Sequence, residues 1–148
     1  MTMQKETTVT VPQISDEAAA AACAAAVAHA RNLGIRINVA VCDATGTLLA
    51  FRRMHGAFLH SIEIAIDKAY TAAGFGLPTR KLFDLIRDDE ALRLGIPQRP
   101  RLIVFGGGLP ICQDGAVVGG IGVSGGSAEE DEACAAAGLA AVGFTIPD

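Results

Sequence analysis

The chain has 148 residues, a net charge of −4 and a hydrophobic fraction of 51%, which fits one domain with its own core. The acidic balance argues against nucleic-acid binding, because that function needs a basic face. The absence of Trp and the single Tyr argue against an aromatic platform for single strands. No apolar run approaches the roughly 20 residues of a membrane helix, so we expect no membrane segment.

Residues 1–14 form a polar arm without the charged segment and apolar core of a signal peptide. The four cysteines, Cys23, Cys42, Cys112 and Cys134, form no Cys-x-x-Cys pair. A zinc site and covalent haem attachment are therefore not expected, and reduced thiols indicate a cytoplasmic protein.

The first predicted elements are a helix and a hairpin. Ser15 is a suitable N-cap for an alanine-rich helix that ends near Leu33, where Gly34 is a natural stop. Apolar and polar residues then alternate over residues 35–42, and a second strand follows over residues 47–53. The turn between them, residues 43–46, ends in glycine. This pattern predicts a β-hairpin.

A helical period follows over residues 58–73, with Phe58, Ile62, Ala65, Ala69 and Ala72 on one face. The remaining predicted elements are a short helix over residues 79–87, a polar loop over 88–101, strands over 102–105, 111–113 and 116–121, and a helix over 127–141. Asp114-Gly115 favours a tight hairpin, and Ser127 with Glu130 matches a capping box. The hairpins predict one domain, residues 15–148, with a mostly antiparallel sheet and packed helices.

Two glycine-rich segments are candidate ligand loops. The Gly-x-Gly-x-x-Gly run from Gly120 to Gly125 is not a dinucleotide fingerprint, because no βαβ unit follows it. Backbone N–H groups near Ser124 and Gly125 could still receive a carboxylate, although Glu129 to Glu132 would repel a phosphate. The other segment is Gly106-Gly107-Gly108-Leu109-Pro110. Ordering three glycines costs entropy, which indicates close approach of a ligand or of a neighbouring subunit.

Two groups of polar side chains complete the candidates. Arg53 can hold a carboxylate through paired hydrogen bonds, and His55 could act as a general base or a ligand, unless both are ordinary surface residues. On the central helix, His60 and Glu63 are neighbours, but no second histidine joins them at ligand spacing. We expect no metal site there, and we expect Lys68 to pair with carboxylates.

These segments resemble the GlcG/HbpS family of haem-binding and haem-degrading-like domains, which includes the C-terminal domain of PduO-like proteins. The matching blocks are residues 39–43 with Gly46, 53–57, Ser61, 68–72, 106–110 and 118–126, followed by Glu130 and Asp131. The resemblance implies a profilin-like α/β (α+β) domain with a five-stranded, mostly antiparallel sheet flanked by helices. It also implies homo-oligomers, from dimers to hexamers or octamers, and haem as a possible cofactor.

One position departs from the family pattern, because His55 stands where the family usually has Asp. The change leaves Arg53 free for a substrate anion.

Two hypotheses for the function follow. The first is a protein that binds haem or a related small molecule at an oligomer interface, with His29 or His55 as ligand. The second is a deaminase or isomerase of aromatic catabolism, in which Arg53 clamps a small unsaturated amino or keto dicarboxylate and His55 moves protons. In the second, backbone donors of Gly106, Gly107, Gly108, Ser124 and Gly125 would stabilise negative charge.

Overall fold

A computed structural model describes residues 6–148 of the chain. The first five residues of the predicted arm lie outside the described part. The helices are α1 (Asp16–Leu33), α2 (Ser61–Phe75), α3 (Thr79–Ile86), α4 (Glu90–Gly95) and α5 (Ala128–Ala141), with a 3₁₀ turn at Ile96–Gln98. The strands are β1 (Asn38–Asp43), β2 (Leu48–Arg53), β3 (Gly108–Gln113) and β4 (Ala116–Ser124).

The four strands of the described residues form one antiparallel sheet in the order β2-β1-β4-β3. The prediction of five strands was therefore wrong by one strand. Residues 102–105 are irregular, because side chains from distant helices take the place of a strand ladder. The hydroxyl of Thr71 accepts from the amide of Ile103 at 3.1 Å, and that of Thr79 accepts from the amide of Gly108 at 3.0 Å.

The helix ends follow their capping residues. The Ser15 hydroxyl accepts from the amide of Ala18 at 3.1 Å, and Gly34 ends α1 in the left-handed conformation. The capping box at Ser127 is present at the start of α5. The predicted polar loop over residues 88–101 contains α4, because the carboxylate of Asp89 caps that helix.

The central helix begins three residues later than predicted. Residues 58–60 form a turn, and the carbonyl of Phe58 accepts from the amide of Ser61 at 3.2 Å. Phe58 is consequently exposed and does not belong to the buried face of α2. This shift moves a large apolar side chain from the predicted core to the surface.

The two faces of the sheet are packed differently. On one face, α1 and α5 cover large aliphatic side chains such as Val39, Ile121 and Val123. On the other face, α2 lies directly on β1 and β4, with alanines and glycines between them. A Cβ atom at Gly122 would overlap the carbonyl of Ala65, so glycine is what permits this close approach.

The predicted arm joins the domain at its last residues. Ile14 is buried, and its amide donates to the carbonyl of Val118 at 2.9 Å. From residue 6 onward, no helix combines the length and the apolar character that a membrane span requires.

Candidate functional site

Two of the residues predicted for a site lie in one row across the sheet. Asn38 of β1 is paired with Arg53 of β2 on one side and with Ser124 of β4 on the other. Side chains of directly opposite residues point to the same face, here the face covered by α2. The row therefore places Arg53 and Ser124 on either side of Asn38. The sequence alone had not identified Asn38 as a candidate site residue.

The chain segment after β2, residues 54–60 (loop 54–60), is fixed through its backbone. Arg53 Nη2 donates to the carbonyl of Ala57 at 3.1 Å, and Arg36 Nη1 donates to that of His55 at 2.6 Å. Asn38 Nδ2 donates to the carbonyl of Phe58 at 3.2 Å. Arg53 is therefore partly engaged by its own chain rather than wholly free for an anion.

Four side chains of loop 54–60 are exposed, whereas those of Met54 and Ala57 are buried. Phe58 and Leu59 are 68% and 73% exposed, and both His55 and His60 are exposed. Two large apolar side chains thus stand between two imidazoles on one short segment. Such a grouping is available to a ligand with an apolar body.

The space around the triple glycine is filled by other parts of the protein. A Cβ atom at Gly107 would lie 2.5 Å from Lys68 Nζ and 2.7 Å from the carbonyl of Val123. A Cβ atom at Gly108 would lie 2.7 Å from the carbonyl of Lys68. Gly106, Gly107 and Pro110 are likewise buried. Close approach of Lys68 on helix α2 therefore accounts for Gly107 and Gly108, whereas a Cβ atom at Gly106 would make only ordinary contacts at 3.5 Å.

A buried ion pair lies next to the triple glycine. Lys68 on α2 and Asp131 on α5 are 1% and 3% exposed, and Lys68 Nζ lies 3.2 Å from Asp131 Oδ2. Lys68 Nζ also donates to the carbonyl of Val123 at 2.8 Å and lies 5.1 Å from the ring centroid of Phe105. The expected pairing of Lys68 with a carboxylate is present, but inside the protein and not on a polar helix face.

Burial shifts both titrations of this pair toward the neutral forms. It lowers the pKa of Lys68 below its ordinary 10.5, although the charge of Asp131 and its hydrogen bond oppose the shift. It raises the pKa of Asp131 above its ordinary 3.8, against the opposing Lys68 charge and the amide of Gly126. Desolvation is thus the largest influence on both groups.

The second glycine segment already holds a carboxylate. The amide of Gly126 donates to Asp131 Oδ1 at 2.8 Å, and the amide of Gly125 also stabilises that carboxylate. A Cβ atom at Gly125 would overlap the carbonyl of Arg36. Of the backbone donors proposed for a ligand, that of Gly125 is therefore directed at the chain's own Asp131.

His29 lies apart from the row. His29 is half-buried on α1, which packs on the opposite face of the sheet from α2. Within residues 6–148, no three His, Cys, Asp or Glu side chains form a group that could hold a metal ion. The structure therefore does not bring His29 together with Arg53 and Ser124 through the α2 face.

The buried role of Lys68 had a signal in the sequence. Lys68 follows Ala65 by three residues and precedes Ala72 by four, so helical spacing places it on their buried face. Asn38 had no comparable signal, since it occupies one of the polar positions of the alternating pattern over residues 35–42.

Comparison with known proteins gives a consistent result. A family model described as "Haem degrading protein HbpS-like" matches residues 14–140. An uncharacterized 15.0 kDa protein from the dhaT-dhaS intergenic region of Citrobacter freundii is 37% identical over 113 residues, which are 76% of this chain and 80% of that protein. The corrinoid adenosyltransferase PduO of Salmonella typhimurium is 38% identical over 119 residues, 80% of this chain but only 35% of PduO.

The solved structures include a PduOC:haem complex with a TM-score of 0.84 and 34% identity. That alignment covers 92% of this chain and 99% of the other. The fold of the described residues is thus shared over nearly the whole length of a domain that was crystallised with haem.

Proposed function

Because the chain belongs to the HbpS-like family, we propose that it binds haem, or a planar ligand of related chemistry, at loop 54–60. The observation that carries the proposal is the exposed pair Phe58 and Leu59 between two histidines. The relative crystallised with haem supports the ligand class. The proposal assigns the nitrogen ligand to His55.

The residues of this surface fit the parts of such a ligand. Phe58 and Leu59 offer apolar contact for a macrocycle, and burial of each would contribute roughly 1.5–3 kcal/mol. Arg53 and Arg36 end at the same loop and can pair with carboxylate side arms. Haem, when bound, supplies a redox-active iron, while these residues hold and orient it.

Thiols are poor competitors for this ligand role. Burial raises the pKa of Cys23, Cys42 and Cys134 to about 11. Each is therefore protonated at neutral pH, and the thiolate is the form that binds metals.

The four cysteines are free, which fits a reducing compartment, so we assign the binding role to the cytoplasm.

A second copy of the chain completes the site in this proposal. Loop 54–60 offers apolar contact to one side of a planar ligand, and its exposed side chains leave the other side to solvent. Burial of most of a ligand's surface is the usual condition for tight binding. A homo-oligomer in which two such loops face each other would meet it.

No observation favours the deaminase or isomerase hypothesis. Arg53 is bonded to the carbonyl of Ala57, and only the backbone carbonyl of His55 is held by a hydrogen bond. A general base needs an imidazole fixed within reach of its proton. We therefore do not extend that hypothesis.

Hemin titration followed at the Soret band tests the proposal. We expect wild-type protein to bind hemin, His55→Ala to lose or strongly shift the band, and His29→Ala to retain it. His29 is the matched control because it lies on the other face of the sheet. Loss of the band only in His29→Ala would move the site to α1, and no band in wild type would refute haem binding.

A further inference from the structure

The starting observation is a hydrogen-bond acceptor that has no donor. Asn38 is 0% exposed, and its Nδ2 donates to the carbonyl of Phe58 at 3.2 Å. That bond fixes the orientation of the amide group. Its Oδ1 is buried without any hydrogen-bond partner among residues 6–148. A buried acceptor without a donor is costly, so this atom indicates a missing hydrogen-bonding group.

The Asn38 side chain, whose Oδ1 has no donor, lies at the start of helix α2. The carbonyl of Phe58 accepts from Asn38 Nδ2 and also from the amide of Ser61, the first residue of α2. Asn38 is also the direct cross-strand partner of Ser124. Ser61 and Ser124 are each 6% exposed. Asn38 thus lies beside two nearly buried serines, Ser124 across the strands and Ser61 through the shared carbonyl of Phe58.

The charges around this polar cluster favour an anion. Arg53 is the partner of Asn38 on the other neighbouring strand. The N-terminus of α2 carries a partial positive charge, and His60 provides no side-chain cap there. The acidic residue of the first turn, Glu63, is exposed to solvent. A carboxylate therefore suits this position better than a cation.

We propose that the polar cluster of Asn38, Ser61, Ser124 and Arg53 binds a small 2-hydroxycarboxylate when loop 54–60 moves aside. The carboxylate accepts from Arg53 and from the serine hydroxyls, and the ligand's own hydroxyl donates to Asn38 Oδ1. A 2-amino acid also carries a donor, but its ammonium group is repelled by Arg53 and by the helix terminus. This site goes beyond the proposed haem function and does not depend on it.

Entry of the ligand requires a change in the hydrogen bonds that hold the backbone of loop 54–60. Arg53 holds the carbonyl of Ala57, and Asn38 holds that of Phe58. A ligand carboxylate competes for Arg53, and the loop must move because Asn38 Oδ1 is closed to solvent in its present position. Binding therefore couples the polar cluster to the backbone of the loop.

The test uses haem-free, full-length protein with L-lactate and propanoate, which differ only in the 2-hydroxyl group. Calorimetry and ¹⁵N–¹H spectra are recorded for both. We expect lactate to bind about ten-fold more tightly than propanoate, because propanoate leaves the buried acceptor unpaired. The amide signals of loop 54–60 and of the start of α2 should shift with lactate.

Matched variants locate the site. Arg53→Gln should weaken lactate binding about ten-fold, whereas Arg52→Gln should leave it unchanged, because Arg52 pairs with Val39 on the other face of the sheet. Asn38→Ala should abolish the preference for lactate over propanoate. Ser124→Ala, a smaller change, provides a second test if Asn38→Ala does not fold.

Three results would overturn the proposal: no binding of lactate to the wild-type protein at tens of millimolar, equal affinity for lactate and propanoate, or equal losses in Arg52→Gln and Arg53→Gln. An internal water on Asn38 would then account for the structure. Because the protein is haem-free, none of these results bears on the hemin titration.

Discussion

Two polar regions beside β1 and β4 differ in where their hydrogen bonds go. Around Lys68 and Asp131, ammonium, carboxylate and glycine amides bond one another, and both side chains are almost fully buried. Loop 54–60 has its backbone held by Arg36, Asn38 and Arg53, while its two histidines, Phe58 and Leu59 face solvent. The first region is closed by its own chain, and the second is open to a ligand.

The contrast changes the meaning of the glycine motifs. Glycine-rich segments before a helix often receive anions, and here the anion is Asp131 of the same chain. Gly108, Gly120 and Gly122 admit α2 to the sheet. The closed region thus fixes the layers together, and the open loop at its side is the better candidate for binding.

The largest effect should follow from breaking the closed region. Asp131→Ala leaves the ammonium of Lys68 buried without its counter-ion, which should lower the free energy of unfolding by about 3–5 kcal/mol. Urea denaturation measures the change. Glu132→Gln is the control, since its partner Arg80 is 43% exposed, and should cost less than about 1 kcal/mol.

A paired replacement sharpens that result. Lys68→Met combined with Asp131→Leu removes both charges and should recover most of the lost stability. Equal destabilisation by the single and the double variants would mean that shape, and not the unpaired charge, explains the loss.

The next effect concerns the glycine contact between α2 and the sheet. Gly122→Ala places a Cβ atom 2.5 Å from the amide nitrogen of Ala69, so we expect a loss of about 3 kcal/mol. Gly74→Ala is the matched change on α2, where a Cβ meets nothing within 4 Å, and should stabilise the protein by up to about 1 kcal/mol. Similar results for both would show that the contact is not tight.

A change in the open loop should affect binding and not folding. Replacing Phe58 and Leu59 by serine should weaken hemin binding about ten-fold or more for each side chain. Thermal unfolding of the haem-free protein should barely change. Leu85→Ser is the control, because Leu85 is also 65% exposed but lies on α3; a comparable loss of hemin affinity there would indicate nonspecific adsorption.

The smallest effect concerns the thiols. Cys112 is only partly buried, whereas Cys23, Cys42 and Cys134 are buried with a pKa of about 11. A thiol reagent at pH 7–8 should therefore label Cys112 first in the native protein and all four cysteines after denaturation. Rapid labelling of Cys23 would show that the core opens more readily than its packing indicates.

Short capping and turn motifs in the sequence predicted much of the fold. Ser15 and Ser127 marked their helices, and Asp114-Gly115 marked the last hairpin, because capping and turn chemistry act within a few residues. The strand predicted over residues 102–105 failed because Thr71, about thirty residues earlier, bonds the backbone there. That bond depends on tertiary packing, which local patterns do not encode.

The candidate site was predicted in part. Arg53, His55 and Ser124 were named from residue chemistry, and the register of β1 with its two neighbours brings Arg53 and Ser124 to either side of Asn38. Asn38 was missed because its significance lies in an unpaired oxygen. Phe58 was assigned to the core because its spacing fits the helix period, although α2 starts only at Ser61.

The most direct measurement is paramagnetic line broadening by hemin in ¹⁵N–¹H spectra of the protein. The iron of bound hemin broadens the signals of nearby amides. The account predicts loss of the signals of His55, Phe58 and Leu59, with those of Gly107 and Gly126 retained. Broadening centred on Gly107 and Gly126, with loop 54–60 unaffected, would contradict it.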